Sequence, residues 1–250
     1  MLMYLLLTFI IVAFVISFSF YKKQEHQSKQ FDFKTNIDLY DKEYVEIYDN
    51  VTYDYYRFQK DINAIVPTTS PNSYILDIGS GTGHHVAELN KKNIKTIGID
   101  NSAAMIEYSK KNKNVEGNAL DTCSFDAETF THITCFYYTL YYIENKEKLI
   151  YNVYKWLDPG GLFLVHLSKK CTYARHNKIV DKNYVYKRTI NNNKVYETIV
   201  YGNKIRRNEH IFYMQPISSI VQIAQQTGFI VVSSEKYDQH NYLYIFKKPE

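Results

Sequence analysis

Between Ile75 and Gly83 the chain reads Ile-Leu-Asp-Ile-Gly-Ser-Gly-Thr-Gly. This stretch calls for a buried strand that turns sharply into a helix. Tyr74, Ile75, Leu76 and Ile78 supply the apolar run of a strand covered on both faces. Gly79, Gly81 and Gly83 allow a tight turn and leave bare main chain against which a ligand can lie. Helix-forming residues begin at about His84, so free N–H groups and a positive dipole end face the same spot. The segment is a cradle for a small molecule.

Two identities compete for that cradle. A dinucleotide fingerprint, G-x-G-x-x-G, would need its third glycine at position 84, which is His84. The alternative pattern D-x-G-x-G-x-G, with Asp77 ahead of the glycines, resembles motif I of the class I S-adenosylmethionine (SAM)-dependent methyltransferases. The segments that follow keep to the same order. Ile97-Gly98-Ile99-Asp100 is a second short strand ending in an acid, where a ribose-binding carboxylate belongs. A carboxylate accepts two hydrogen bonds at once, which suits paired sugar hydroxyls. Asn101-Ser102-Ala103-Ala104-Met105 resembles the D-x-S-x-x-M run of these enzymes, whose Met packs on the nucleoside. Val115-Glu116-Gly117-Asn118-Ala119-Leu120 resembles their G-D-A segment, with Asn118 where an acid is usual; its carbonyl can still accept from an adenine amino group. Leu157-Asp158-Pro159-Gly160-Gly161 resembles the L-x-P-G-G turn into the fifth strand. The resemblance runs from 74 to 167 and implies SAM as cofactor. It places Asp77, Gly79, Ser80, Gly81, Gly83, Asp100, Asn101, Met105, Asn118, Ala119 and Phe136 around it.

Composition narrows the class further. The chain is 45% hydrophobic and 22% charged, as in a packed globular protein, and its net charge of +4 is too small and scattered for a nucleic-acid footprint. No nucleic-acid partner is expected. Thr134-Cys135-Phe136-Tyr137 also lacks the [DN]-P-P-[YFW] pattern usual in nucleic-acid amino-methylation. Cys123, Cys135 and Cys171 are odd in number and far apart, which reads as reduced, mostly buried thiols with no metal site. The 25 tyrosines accompany abundant Asn, Lys and Ile, all encoded by A/T-rich codons, so much of the excess reflects genome bias.

Residues 2–21 carry no charge and are mostly Leu, Ile, Val and Phe. About 20 apolar residues suffice to cross a bilayer as a helix. Lys22 and Lys23 follow at once and no Lys or Arg precedes, so the positive-inside rule keeps the C-terminal side cytoplasmic. A cleaved signal peptide would want a basic start and a better cleavage site than Ser17-Phe18-Ser19. The reading is a transmembrane anchor over 1–21 and a polar tether over 22–36, reaching about 50 Å at full stretch. A methyltransferase domain over 37–250 then sits on the cytoplasmic side of a single-pass membrane protein. Asn50-Val51-Thr52, a glycosylation sequon, would be idle in that topology.

Within the domain, strands are expected near 74–79, 95–100, 114–119, 131–139 and 161–167, with helices near 83–92, 102–112 and 145–157. Such alternation implies a parallel sheet with helices on both faces and ligands beyond the strands' carboxyl ends. The resemblance makes it the Rossmann-like seven-stranded α/β sheet of these methyltransferases. Residues 169–214 break the rhythm: 184–190, 194–201 and 204–214, separated by Asn-rich and Gly-Asn turns, read as a small antiparallel β insert. Similar inserts cover substrate or form a homodimer surface in some small-molecule N-methyltransferases. Pro216 opens a helix that Gly228 ends, and 230–236 with 242–247 close the sheet as a hairpin.

Methyl transfer is an in-line displacement, so the protein must mainly align nucleophile and methyl and exclude water. A base is needed only where the acceptor must lose a proton. His166 near the end of the fifth strand, Tyr141 after the fourth, and Tyr44 in the helical stripe Tyr40–Tyr44–Tyr48 are the catalytic candidates. The acceptor could be a small molecule, a lipid or a membrane protein. A SAM-binding scaffold without turnover, and a nicotinamide oxidoreductase, are the alternatives.

Overall fold

The computed structural model describes residues 30–172 and 177–250. The strands β2 (Tyr74–Ile78), β3 (Lys95–Asp100), β4 (Asn114–Glu116), β5 (Phe130–Cys135) and β6 (Leu157–Ser168) run parallel, and the central β2, β5 and β6 are buried along most of their length, as strands covered on both faces are. With the hairpin β11 (Ile230–Lys236) and β12 (Asn241–Lys247) they form one seven-stranded sheet in the order β11-β12-β6-β5-β2-β3-β4, with β12 antiparallel to both neighbours. The order reverses between β2 and β5, so their carboxyl ends open a crevice.

The helices are α1 (Lys42–Thr52), α2 (Tyr55–Ile65), α3 (His84–Lys91), α4 (Ala103–Tyr108), α5 (Thr139–Tyr142), α6 (Lys146–Trp156) and α7 (Ile217–Thr227). Their starts follow local chemistry. Asp41, Asp54, Ser102 and Asn145 accept main-chain N–H groups as N-caps of α1, α2, α4 and α6. Gly228 ends α7 in the left-handed region (φ 116°). On β6 the odd positions Phe163, Val165 and Leu167 join Trp156 and Ile220 on one face of the sheet. The even position Leu164 faces Phe58 and Ile62 of α2 on the other.

The expected strand over 131–139 ends at Cys135, because Tyr137 takes φ 52° and the chain turns into α5. The strand expected over 114–119 ends at Glu116, where the Asn118 side chain accepts the Leu120 N–H and folds a turn. The insert is larger than expected. A second sheet of five strands has the order β1-β10-β9-β8-β7, with β7 Lys178–Val180, β8 Val185–Asn191, β9 Lys194–Tyr201 and β10 Lys204–Ile211. Its edge strand β1 (Gln30–Thr35) pairs parallel to β10, so the end of the segment read as a polar tether is strand instead. Leu39, Tyr44, Ile47 and Val51 pack with Tyr184, Tyr186 and Ile199 and fasten this sheet to α1. The buried Arg206 completes the joint: it donates to both Asp41 carboxylate oxygens (2.7 and 2.9 Å), the Leu39 carbonyl (2.7 Å) and Asn208 (2.8 Å).

Cys135 and Cys171 are buried, Cys123 is exposed, and none is bonded to another. Among the described residues no helix is long and apolar enough to cross a membrane. The 1–21 segment read as an anchor lies outside them.

Candidate active site

The glycine turn after β2 is built from three left-handed residues: Gly79 (φ 68°), Gly81 (φ 54°) and Gly83 (φ 83°). They do different work. A Cβ on Gly79 would meet the Thr139 side chain at 2.4 Å, so that glycine permits close approach of α5. One on Gly83 would meet Asn114 at 2.6 Å and Asn112 at 2.9 Å. A Cβ on Gly81 would meet, among the described residues, only the Tyr48 ring within 4 Å, at 3.9 Å, and that bare backbone faces an open cleft.

The cleft has two arms that share Tyr48, Gly79, Gly81, Tyr137 and Tyr138. The larger, about 310 Å³, is walled by Asp100, Asn101, Met105, Asn118, Ala119 and the aliphatic Ile78 and Ile99. Tyr40, Tyr142, Ile143 and Tyr213 add an aromatic and aliphatic side to that wall, with Asn36 and Ile37 beside them. Asp100 Oδ2 accepts the Gly81 N–H and Oδ1 the Ser102 N–H, both at 2.9 Å. Burial raises its pKa, although these two bonds and that of the Asn101 N–H oppose the shift. With three of its roughly four acceptor sites taken, the carboxylate can still accept from a further donor. The smaller arm, about 120 Å³, presents both signs of charge: the Arg57 guanidinium beside Asp49, Asp54 and Asp77, with the His84 and His85 rings alongside. Ser80 and Phe136 line it too. Hydroxyl-accepting acid and apolar walls in one arm suit a nucleoside; paired charges in the other suit an amino-acid zwitterion.

The residues expected around the cofactor therefore line one cleft, except Gly83, which lines neither arm and only forms the turn. The three catalytic candidates do not come together there. His166 donates or accepts at both ring nitrogens: Nδ1 takes the Tyr137 N–H at 2.9 Å and Nε2 lies 2.9 Å from the fully buried Asp61. Asp61 also meets His85 Nε2 at 3.1 Å. Burial would raise the Asp61 carboxyl, but His166 and then His85 outweigh it and hold it well below the usual range. This is a bracing cluster behind the small arm, not a free base. The Tyr141 hydroxyl donates to the Ser168 carbonyl and accepts the Ser168 N–H, fixing α5 to the end of β6. Tyr44 is buried between α1 and the five-stranded sheet, under the Arg206 guanidinium. Of the tyrosine stripe, Tyr40 and Tyr48 face the cleft instead.

Residues outside the expected set also reach the cleft. Arg57, Asp49, Tyr142 and Tyr213 carry no motif of their own; only the fold gathers them. Lys146 secures that corner by donating to the Ile143 and Tyr213 carbonyls, both at 2.7 Å, and burial pushes its pKa down to about 8.

Comparisons with known proteins agree with this geometry. A family model described as a methyltransferase domain matches residues 51–234. A carboxy-S-adenosyl-L-methionine synthase of Nautilia profundicola is 28% identical over 216 residues, covering 80% of this chain and 87% of that protein. The CcbJ methyltransferase of Streptomyces caelestis has the same fold: TM-score 0.69 at 14% identity, over 84% of this chain and 98% of that one. SAM-bound CalS10, an amino pentose methyltransferase from Micromonospora echinaspora, superposes with TM-score 0.57 at 15% identity, over 77% and 94% of the two chains. The cofactor of this methyltransferase domain is thus S-adenosylmethionine. The D-x-G-x-G-x-G reading of the glycine turn prevails over the dinucleotide one, and the chain belongs to the methyltransferase-domain family.

Proposed function

We propose that the chain moves a methyl group from SAM to a small nucleophile seated in the large arm. The observation that carries this is the extra wall of Tyr40, Tyr142, Ile143 and Tyr213, which the nucleoside-binding set does not account for. In this reading the remaining acceptor capacity of Asp100 takes up the ribose and Met105 and Ile99 pack against the base. The Asn118 side chain meets the adenine edge. Arg57 and the α3 N-terminus hold the carboxylate of the amino-acid end, and Asp77 with Asp49 balances its ammonium. SAM, when bound, supplies an electrophilic methyl on a positively charged sulfur. The chain's task is to orient the acceptor and keep water out, which the aromatic wall does. Incubation with methyl-labelled SAM and fractionated small-molecule, lipid and protein pools tests it: label should enter the small-molecule pool. SAM binding without transfer to any pool would leave a SAM-binding scaffold.

A second reading comes from a relative matched over 80% of the chain, a carboxy-SAM synthase. Mass spectrometry of the nucleoside products separates the two, since methyl transfer leaves S-adenosylhomocysteine and the other reaction a carboxylated SAM.

We also propose that residues 2–21 tether the enzyme to a membrane, with the domain cytoplasmic; the uncharged apolar run and the Lys22-Lys23 flank support it. Lipid or membrane-protein acceptors then come within reach, and the five-stranded sheet is the surface through which two copies would pair. Deleting residues 1–29 should move the protein from the membrane to the soluble fraction, and glycosylation at Asn50 would reverse the topology.

A further inference from the structure

Two ionisable side chains of the five-stranded sheet, Glu197 and His210, are wholly buried. Burying such a pair costs several kcal/mol per ion before their attraction offsets it, and an apolar pair would pack there without that cost. Their connections lead to the cleft. His210 Nε2 lies 2.9 Å from Glu197 Oε2, while its Nδ1 is hydrogen-bonded to the Tyr142 hydroxyl. The Tyr40 hydroxyl in turn donates to the Tyr142 oxygen at 2.7 Å. Tyr40 and Tyr142 both line the large arm.

We propose that Tyr40, Tyr142, His210 and Glu197 form a directed proton path that takes the acceptor's proton out of the large arm, an inference that rests on the methyl-transfer reading above. With the imidazole proton on Nε2, toward Glu197, every donor in the chain points away from the cleft. Only the Tyr40 oxygen is left to receive. As the acceptor's lone pair forms its bond to the methyl carbon, the S–CH3 bond breaks and its electron pair stays on sulfur. The acceptor's proton passes to Tyr40, the Tyr40 proton to Tyr142, and the Tyr142 proton to His210 Nδ1. The imidazolium is balanced by Glu197, and the proton returns to solvent along the same path once product leaves. The path therefore selects acceptors that carry both a lone pair and a proton to lose, an amine N–H or a hydroxyl, over those that carry no such proton.

The surroundings fit such a path. Glu197 is held by donors on every side: Tyr186 at 2.7 Å, Asn208 at 3.0 Å, and Tyr44. Burial would raise its pKa, but His210 and these bonds bring it down to about 2, so it stays an anion. Burial pushes the Tyr40 phenol well above its ordinary value, which favours handing a proton on over keeping a phenolate. Among the described residues, titratable and charged groups of several elements face His210. Tyr40 precedes α1, Tyr44 lies on it, Tyr142 is on α5, and Arg206 on β10 covers the Tyr44 ring.

The experiment is the pH dependence of label transfer from methyl-labelled SAM into a protein-free aqueous cell extract, by the full chain and by Tyr40→Phe, Tyr142→Phe and His210→Gln. The wild-type rate should fall on the acid side, where a protonated imidazole can no longer accept from Tyr142. Both phenylalanine variants keep the ring packing and should lower the rate about a hundredfold, the scale of general-base assistance. They should also lose the acid limb, with SAM affinity by calorimetry unchanged within about twofold, as no bond to the cofactor is removed. His210 is a positioning residue, and its variant should lose the acid limb too; if that variant does not fold, the two tyrosines decide. Either phenylalanine variant running at near wild-type rate, or keeping the acid limb, overturns the path alone. A wild-type chain that binds SAM yet labels nothing overturns the methyl-transfer reading itself.

Discussion

Gly81 carries the sharpest prediction at the level of single residues. Its φ of 54° costs any other residue about 1–2 kcal/mol, and a side chain there would enter the cleft beside Tyr48. Gly81→Val should fold, shift its melting temperature only modestly, and lose SAM affinity by at least a hundredfold in calorimetry. Asp100→Asn should be milder. Exchanging a charged acceptor for a neutral one gives up about 1–1.5 kcal/mol per hydrogen bond, so SAM should bind about tenfold more weakly for each bond affected. These residues were legible because chemistry fixes them locally: a glycine where φ is positive, an acid where a strand ends. His166 was not. It lies on the same side of β6 as Leu164, toward α2, and its partner Asp61 is 105 residues away. Sequence reveals that a strand alternates; it does not reveal which parity faces a cleft, and one residue's difference turns a base into a brace.

Elements built from local pattern were readable to within a residue or two, as α6, α7 and the closing hairpin β11–β12 demonstrate. β1 was not, because nothing local demands it. Its Phe31 and Phe33 remain 54% and 51% exposed, and its pairing is with β10, some 170 residues on. The joint between α1 and the five-stranded sheet likewise depends on Arg206, one cation among 30 Lys and Arg in the sequence. Replacing it by Met should destabilise the chain by about 3 kcal/mol, at the low end for breaking a buried ion pair, since Asp41 and Glu43 are part-exposed and can rehydrate. Hydrogen exchange should speed up first in α1, β9 and β10, while the parallel strands stay protected. Uniform loss of protection would show that the two sheets unfold as one unit.

The molecule as a whole joins a seven-stranded methyltransferase sheet to a smaller sheet whose core holds charge. That arrangement predicts acid lability. Glu197 sits at about 2 in the fold against 4.5 for a free glutamate, so its contribution is complete above pH 4.5 and drains away as pH falls toward 2. Integrated over that window the loss is about 3 kcal/mol. Urea midpoints measured from pH 6 to pH 2 should fall accordingly, and Glu197→Gln should flatten the decline. One feature of the layout has mechanical meaning. The Gln30 N–H bonds the Asn203 carbonyl at the tip of the β9–β10 hairpin, and six residues later Asn36 and Ile37 are already in the cleft wall. A tug on the chain upstream of Gln30 would be felt at the roof over the reaction chamber before it reached the nucleotide floor. Force or crowding at a surface could thus loosen or seat that roof.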